Sequence, residues 1–173
     1  MPTKPNDATA NEHLRTRYRP RRVRLLFVGE SPPASGRFFY RADSGLYRAF
    51  RRSFIAAIPA LESTDFLESF RDLGCYLVDL CGKPVDRLTT RQRRQACVDG
   101  EPGLGRTIKR LRPEIIVTVV RSIAKNVRRA QQQAGWTGTR LELPYPGRWK
   151  QHREAFADAV VPVIQKLSKR PRG

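Results

Sequence analysis

The sequence has few cysteines, no long apolar run and no apolar N-terminal segment. Its three cysteines, Cys75, Cys81 and Cys97, include no CxxC pair, which argues against both a cysteine-only zinc site and a disulfide framework. No apolar run in the sequence approaches the roughly 20 apolar residues that a membrane-spanning helix needs. Residues 1–10 are polar and lack the apolar core of a secretory signal. We therefore expect a cytoplasmic protein without a membrane-spanning helix.

Acidic residues are scarce relative to basic ones. The 173 residues include 34 Lys and Arg but 16 Asp and Glu, so the formal net charge is +18 at pH 7. Such a charge on a domain-sized chain attracts polyanions, which can be DNA, RNA or an anionic membrane surface. The alternative explanation is general solubility in an arginine-rich lineage. A hydrophobic content of 39% is sufficient for a buried core, which argues against full disorder.

Apolar runs and glycine or proline breaks divide the chain into one folded domain and two basic ends. We expect a flexible segment at residues 1–22 with a disordered start at residues 1–13, an α/β domain at residues 23–168, and a basic tail at residues 169–173. Strands are predicted at residues 23–28, 75–80, 115–120 and 140–143, and helices at residues 44–58, 65–73, 90–98, 104–111, 123–134 and 150–167. This alternation predicts a three-layer α/β/α sandwich with a four-stranded, mostly parallel sheet.

Irregular segments follow the carboxyl ends of the predicted strands, at residues 29–36, 79–84, 121–122 and 144–147. Ligands of such sheets bind beyond the carboxyl ends of the strands, so we expect these segments to form one crevice. The first segment differs from a serine-hydrolase nucleophile elbow, because Pro32 and Pro33 prevent a helix from starting there. It differs from a Walker phosphate loop as well, because Gly36 precedes Arg37 rather than Lys followed by Ser or Thr.

Two carboxylates in these segments are candidates for chemistry. Glu30 is placed to position or activate a water, or alternatively to cap backbone N–H groups. Asp79 ends an apolar strand. Because a buried carboxylate is costly without partners, we expect Asp79 either to face a ligand or to pair with an arginine.

Aromatic residues are interleaved with arginines at residues 36–41. Phe38 and Phe39 lie between Arg37 and Arg41, so that a ring could stack on a nucleobase while guanidinium groups hold phosphates. We expect one of the two rings to pack in the core instead.

A second aromatic and basic cluster follows the last crevice segment. Tyr145 and Trp149 lie beside Arg148 and Lys150 and are candidates for stacking on a base or for wedging into DNA. Covering a helix end is the alternative role for exposed aromatic rings. His152 is isolated in sequence and by itself is more typical of a surface histidine than of a catalyst.

Several of these motifs, in this order, resemble those of the uracil-DNA glycosylase superfamily. Residues 28–32 (VGESP) resemble the Gly-Gln/Glu-Asp/Ala/Asn-Pro loop that follows the first strand of its members. Gly36, Phe39 and Leu46 have the spacing of the next motif in a bacterial and archaeal branch. Residues 78–80 (VDL) resemble a Thr-Asn-Leu/Val strand end, and residues 111–117 (LRPEIIV) a Leu-x-Pro-x-Ile-Ile-Val run preceded by Cys97 and Leu104. Residues 143–146 (LPYP) are similar to the closing His-Pro-Ser-Pro motif, so that the resemblance spans residues 23–166.

The resemblance implies a role for each candidate. Glu30 and Ser31 would position the water, with His152 as a substitute catalytic group from the last loop. Phe39 would stack on the extruded base, Tyr145 would contact it, and Asp79 would bind its edge, favouring the N–H donors of cytosine or adenine over an edge that mixes donors and acceptors. The candidates for DNA contact are Arg37, Arg41, Arg121, Arg148, Trp149 and Lys150.

The sequence departs from the family's motifs at four places. Asp79 occupies the position of the Asn that reads the pyrimidine edge. Ser31 occupies a position where the family often has Asp or Asn, and Leu143 occupies that of the histidine which assists the leaving base. No cysteine precedes Val23, so we expect no iron–sulfur cluster, no other cofactor and no metal ion.

The sequence thus predicts a monomeric DNA glycosylase of the bacterial cytosol or nucleoid. It would bind single- or double-stranded DNA, with no membrane as a partner, and hydrolyse the N-glycosidic bond of uracil-like or otherwise damaged bases. The missing histidine favours an alternative, a nucleic-acid-binding module that keeps the fold and pocket without the chemistry. A third hypothesis is a hydrolase or transferase for free nucleotides or nucleosides, against which a basic crevice rim would argue.

Overall fold

The computed structural model describes residues 5–170, and its central sheet determines where a ligand can bind. The described residues form four strands: β1 (Leu25–Gly29), β2 (Cys75–Asp79), β3 (Ile115–Thr118) and β4 (Thr139–Glu142). Their order in the sheet is β2-β1-β3-β4, and every neighbouring pair is parallel. The prediction of a four-stranded, mostly parallel sheet in an α/β fold is confirmed.

Helices connect the strands and cover the sheet. The described residues form six α-helices: α1 (Pro5–Arg17), α2 (Gly45–Ala57), α3 (Phe66–Asp72), α4 (Thr90–Leu111), α5 (Ala124–Gln133) and α6 (Lys150–Ser168). Short 3-10 helices occur at Phe39–Arg41, Pro59–Ser63 and Arg121–Ile123. Because parallel strands need crossover connections, each strand is separated from the next by at least one of these helices.

Aromatic residues fill the core on one face of the sheet. The ring of Phe27 in β1 lies 4.6 Å from that of Phe50 in α2, 5.9 Å from Phe70 in α3 and 6.4 Å from Phe156 in α6, between centroids. Since alternate strand residues point to opposite faces and crossovers are right-handed, α4 and α5, which pack against each other, form the layer on the other face.

Helix α2 is one element that the apolar spacing predicted well. Phe50 and Phe54 are fully buried on its inner face, and the Ser44 hydroxyl oxygen accepts a hydrogen bond from the Tyr47 N–H at 3.1 Å. Ser44 thus satisfies one of the free N–H groups at the start of the helix. Truncating a buried phenylalanine of this kind typically costs about 3–5 kcal/mol.

Helix α4 corrects the prediction of two short helices at residues 90–98 and 104–111. The helix runs unbroken through Gly100 and Pro102. An ideal Cβ on Gly100 would lie 2.3 Å from the Leu80 carbonyl oxygen, so the glycine permits α4 to approach the end of β2. The buried carboxylate of Glu101 accepts a hydrogen bond from Asn126 in α5 at 2.7 Å. Tertiary packing therefore overrides the helix-breaking tendency of glycine and proline.

The N-terminal segment corrects the prediction of disorder at residues 1–13. Helix α1 begins at Pro5, and residues 1–4 lie outside the described residues. The helix has no apolar face that would have predicted it, but its last turn binds the domain. Arg15 forms an ion pair with Asp79, and the adjoining Tyr18 ring stacks on Tyr40 at 5.8 Å between centroids. Of the predicted basic tail, residues 171–173 also lie outside the described residues.

Candidate active-site pocket

A cavity of about 350 Å³ opens at the carboxyl ends of the strands. Gly29 at the end of β1 lies opposite Asp79 at the end of β2 in the sheet register, so Glu30 and Asp79 emerge beside each other. Helix α1 contributes Arg15 to the wall, and α4 contributes Arg93. The cavity is also lined by Ser31, Phe38, Phe39, Tyr40 and Tyr145. Of the four segments predicted to form one crevice, those at residues 29–36, 79–84 and 144–147 line this cavity, whereas residues 121–122 line a neighbouring depression.

Glu30 is held at the pocket by Arg93. The Arg93 Nε donates to Glu30 Oε1 at 2.6 Å, and Arg93 Nη2 donates to Glu30 Oε2. The hydrogen bonds to Glu30 raise the pKa of Arg93. A bidentate guanidinium–carboxylate pair fixes orientation as well as charge, and the Glu30 side chain is only 11% exposed. The geometry therefore presents an oriented carboxylate to the pocket.

Ser31 lines the pocket but also supports the neighbouring loop. Its hydroxyl oxygen accepts a hydrogen bond from the Val85 N–H at 3.3 Å. This contact ties the loop after β1 to the loop after β2. The hydroxyl proton remains available as a donor, so the structure leaves both a structural and a water-binding role open to this side chain.

Asp79 both faces the pocket and pairs with an arginine. Its Oδ2 accepts a hydrogen bond from Arg15 Nη2 at 3.0 Å, and the side chain is 12% exposed. Burial raises the pKa of Asp79 to about 6, while the adjacent Arg15 guanidinium opposes that rise. The carboxyl group therefore changes charge just below neutral pH.

The aromatic wall is continuous with the core. Phe39 lines the pocket, yet it is buried with its ring 5.2 Å from Phe50 and 5.3 Å from Phe70, between centroids. Phe38 is buried too, and the guanidinium carbon of Arg15 lies 5.4 Å from the centre of its ring. Stacking of a base on Phe39 stays a prediction, because much of this ring already contacts other aromatic residues.

Tyr40 stabilises the edge of the sheet beneath this wall. Its hydroxyl donates to the Leu77 carbonyl oxygen at 2.9 Å and accepts from the Leu77 N–H at 2.8 Å. These bonds satisfy backbone groups of β2 that have no further strand beside them. Burial raises the pKa of Tyr40 well above its ordinary value, so the hydroxyl stays protonated.

The predicted histidine lies in a neighbouring depression rather than in the pocket. This depression, of about 240 Å³, is lined by His152 together with Arg121, Tyr145, Arg148 and Trp149. Tyr145 lines both cavities. The structure therefore brings Glu30, Ser31, Phe39, Asp79 and Tyr145 together, and places His152 with the predicted DNA-contacting residues.

Exposed aromatic and basic groups surround the depression. Trp149 is 55% exposed, and the guanidinium carbon of Arg148 lies 5.3 Å from the centre of its ring. The Nζ atom of Lys150 lies 3.7 Å from Oε1 of Glu154, and Lys150 lines neither cavity. Arg37 and Arg41 are exposed beyond the aromatic wall. The surface around the pocket and the depression is therefore basic and carries one large exposed ring, that of Trp149.

Two pocket residues were missed by sequence reasoning, Arg15 and Arg93. Arg93 lies in the first turn of a predicted helix, among other exposed basic residues that look alike in sequence. Arg15 lies in the segment predicted to be flexible, 64 residues away from its partner Asp79. No local spacing could have indicated either contact.

The described residues contain no group of three or more His, Cys, Asp or Glu side chains arranged to hold a metal ion. None of the helices at residues 5–170 has the length and hydropathy to cross a membrane.

A comparison with protein-family models matches residues 16–168 to the uracil DNA glycosylase superfamily. The matched range contains all four strands and begins one residue after Arg15. No curated protein matches the chain significantly.

Proposed function

The chain belongs to the uracil DNA glycosylase superfamily, and we propose that it is a monofunctional DNA glycosylase that removes uracil-like or otherwise damaged bases. Membership supports a uracil-DNA glycosylase-like function in general. The observation that carries the finer proposal is the pocket itself, which combines an oriented carboxylate, Glu30, with aromatic walls and a second carboxylate, Asp79. Its volume of about 350 Å³ falls in the roughly 300–1,000 Å³ range of small-ligand sites.

In the proposed reaction the target base leaves the stack and enters the pocket. Glu30 orients a water towards C1′ of the sugar, and Arg93 keeps the carboxylate in place. The water oxygen forms a bond to C1′ while the N-glycosidic bond breaks, and its electron pair leaves with the base. A water proton passes to Glu30, and the released base takes up a proton. The negative charge of Glu30 also favours the oxocarbenium-like sugar of the transition state.

The neighbouring depression suits the DNA that must surround an extruded base. Trp149 is an exposed ring able to fill the space that the base vacates. Arg121 and Arg148 lie beside it as phosphate-binding groups. His152 is a DNA-contact candidate here, because it lies among these residues and outside the pocket that contains Glu30.

The decisive experiment is an excision assay on single- and double-stranded oligonucleotides that carry uracil, hypoxanthine, xanthine or oxidised bases. We expect abasic product from at least one lesion, and a loss on the order of 10²- to 10⁴-fold in Glu30→Gln. The matched control is Glu62→Gln, which neutralises an exposed carboxylate outside the pocket and should leave the rate unchanged. Product that persists in Glu30→Gln would contradict the role of Glu30.

A second candidate function is a nucleic-acid-binding module without catalysis. Buried Leu143 at the place of the family's histidine supports it, because no electrophile stands there for the leaving base. This candidate predicts no product from any lesion, together with DNA affinity that falls as salt rises. A DNA affinity that does not change with salt concentration would contradict both candidates. Phosphate contacts release counterions, and this makes the affinity depend on salt.

A further inference from the structure

Helix α1 lies mostly before the family-matched region, yet it contributes to the pocket. The match begins at residue 16, and the side chain of the preceding residue, Arg15, lines the cavity beside Asp79. No family motif identified in the sequence includes Arg15, since the first of them lies at residues 28–32. Arg15 places a guanidinium next to the carboxylate that the resemblance assigns to the base edge.

The guanidinium of Arg15 has donors to spare. Among the described residues, Nη1 donates to Glu12 at 2.7 Å and Nη2 donates to Asp79 at 3.0 Å, which uses two of the five N–H groups of an arginine. The Nε atom is buried without a hydrogen-bond partner in the described part of the chain. The side chain is 17% exposed and lies on the ring of Phe38. Because the Arg15 side chain lines the cavity, its remaining N–H groups on the exposed part are donors for a ligand that supplies an acceptor.

We propose that Arg15 is a base-recognition residue, and that Arg15 and Asp79 together bind a lactam edge, in which a carbonyl lies next to an N–H. The Asp79 carboxylate accepts from the ring N–H, and the Arg15 guanidinium donates to the adjacent carbonyl oxygen. This inference rests on the proposed function, because it concerns a base held in the same pocket.

The pair changes the selectivity expected from Asp79 alone. A lone carboxylate only accepts, and so favours amino groups such as those of cytosine and adenine. A carboxylate beside a guanidinium instead matches uracil, with N3–H next to O4, and hypoxanthine, with N1–H next to O6. Deamination converts cytosine to uracil and adenine to hypoxanthine. The pocket would therefore distinguish each deaminated base from its parent.

The charges around Asp79 are consistent with an acceptor at neutral pH. Arg15, which also pairs with Glu12, faces Asp79 from α1. Tyr40 faces it from the turn at Phe39–Arg41, and Cys81 from the loop after β2. Burial raises the pKa of Tyr40, and it raises that of Cys81 to about 12, so both stay neutral. The pKa of Asp79 is about 6. Acidification below that value would protonate the carboxyl group and weaken lactam binding.

The test measures binding rather than cleavage. Oligonucleotides with a 2′-fluorinated target nucleotide resist hydrolysis, because the fluorine destabilises the oxocarbenium-like transition state. Dissociation constants are compared for two matched pairs, uracil against cytosine and hypoxanthine against adenine. We expect the wild type to prefer the lactam member of each pair at least tenfold at pH 7.5, as for a base contact worth about 1–3 kcal/mol.

Three variants assign that preference to Arg15. Arg15→Met removes the charge and the donors at similar side-chain length, and is expected to reduce the ratio of dissociation constants at least fivefold. It should also raise the pH below which lactam binding weakens, because Arg15 opposes the rise in the pKa of Asp79. Arg17→Met, which removes an exposed charge from the same helix, should keep both. Arg15→Lys keeps the charge without the planar fork and should show an intermediate preference even if Arg15→Met loosens α1. A wild-type preference in Arg15→Met or Arg15→Lys would overturn the proposal.

The design separates this inference from the proposed function. Excision of a lesion together with an unchanged preference in Arg15→Met would remove Arg15 from recognition and leave the glycosylase proposal in place. Lactam preference that depends on Arg15, without excision of any lesion, would support the recognition pair and contradict the catalytic proposal.

Discussion

Two carboxylates enter the pocket side by side, and each is bound by an arginine from a different helix. Glu30 follows β1 and receives two hydrogen bonds from Arg93 of α4. Asp79 ends β2 and receives one from Arg15 of α1. The sheet register makes the two positions neighbours, since Gly29 lies opposite Asp79. Two ion pairs therefore lie side by side at the ends of β1 and β2. They differ in the number of hydrogen bonds and in the pKa of the carboxyl group, which suggests different roles.

The two ion pairs differ in what they control. Arg93 fixes the orientation of the Glu30 carboxylate, whereas the environment of Asp79 changes the pKa of its carboxyl group. A bidentate contact leaves Glu30 little rotational freedom. Asp79 has one bond from its arginine, and burial raises its pKa to about 6. Arg93 lies inside the family-matched range, whereas Arg15 lies outside it. In the proposed function, the Arg93–Glu30 pair serves the chemistry, and the Arg15–Asp79 pair serves the selectivity.

The largest expected effect comes from removing the orienting arginine. Arg93→Gln leaves Glu30 in place without its bidentate partner. We expect the kcat for base excision to fall about 10²-fold, because misplacement of a catalytic group by about 1 Å costs on that order. KM should change little, since Arg93 acts through Glu30. Single-turnover kinetics with excess enzyme measure the chemical step.

Arg94→Gln is the matched control for this change. Arg94 is an exposed neighbour of Arg93 on the same helix turn and does not line the pocket. Arg94→Gln removes one positive charge, as Arg93→Gln does, and should leave the single-turnover rate near that of the wild type. Equal losses in the two variants would mean that net charge, and not orientation of Glu30, sets the rate.

The next effect concerns the titration of Asp79. Its pKa is raised from 3.8 to about 6 by burial, so the folded state binds this proton more tightly than the unfolded state. The wild type therefore loses stability as pH rises from about 4 to 7.5, by roughly 2 kcal/mol from this group. Asp79→Asn should lack this component. Urea unfolding of both proteins across that range gives the difference, and parallel stability curves would contradict a buried, titrating Asp79.

The fold was predictable because its signals are local. The four-residue spacing of Leu46, Phe50, Phe54 and Ile58 indicated α2, and Asp65 caps α3 by accepting a hydrogen bond from the Glu68 N–H at 3.0 Å. The β-branched run at residues 115–120 indicated β3. Each of these features depends on residues close in sequence. Helix α4 was divided in two because the reason for Gly100, a close approach to Leu80, is tertiary.

The candidate site was predictable only in part, for the same physical reason. Glu30 and Asp79 were identified because a carboxylate at the end of an apolar strand is unusual in itself. Their partners Arg93 and Arg15 lie 63 and 64 residues away in a chain with 34 Lys and Arg. From the sequence, many basic residues are equally good candidates for pairing with these carboxylates. The packing of α1 and α4 determines that Arg15 and Arg93 are the partners.

The smallest expected effect tests whether the two carboxylates can be perturbed separately. An ideal Cβ at Gly29 would lie 2.8 Å from Asp79 Oδ1, so Gly29→Ala must displace the Asp79 carboxylate. Because one distorted hydrogen bond is worth about 1 kcal/mol, we expect about a fivefold loss of base preference, seen in KM, with kcat changed less. Gly103→Ala is the control, since its nearest neighbour is a side-chain atom at 3.8 Å. A fall in kcat larger than the change in KM would show instead that Glu30 moves with Asp79, and that the two ion pairs act as one unit.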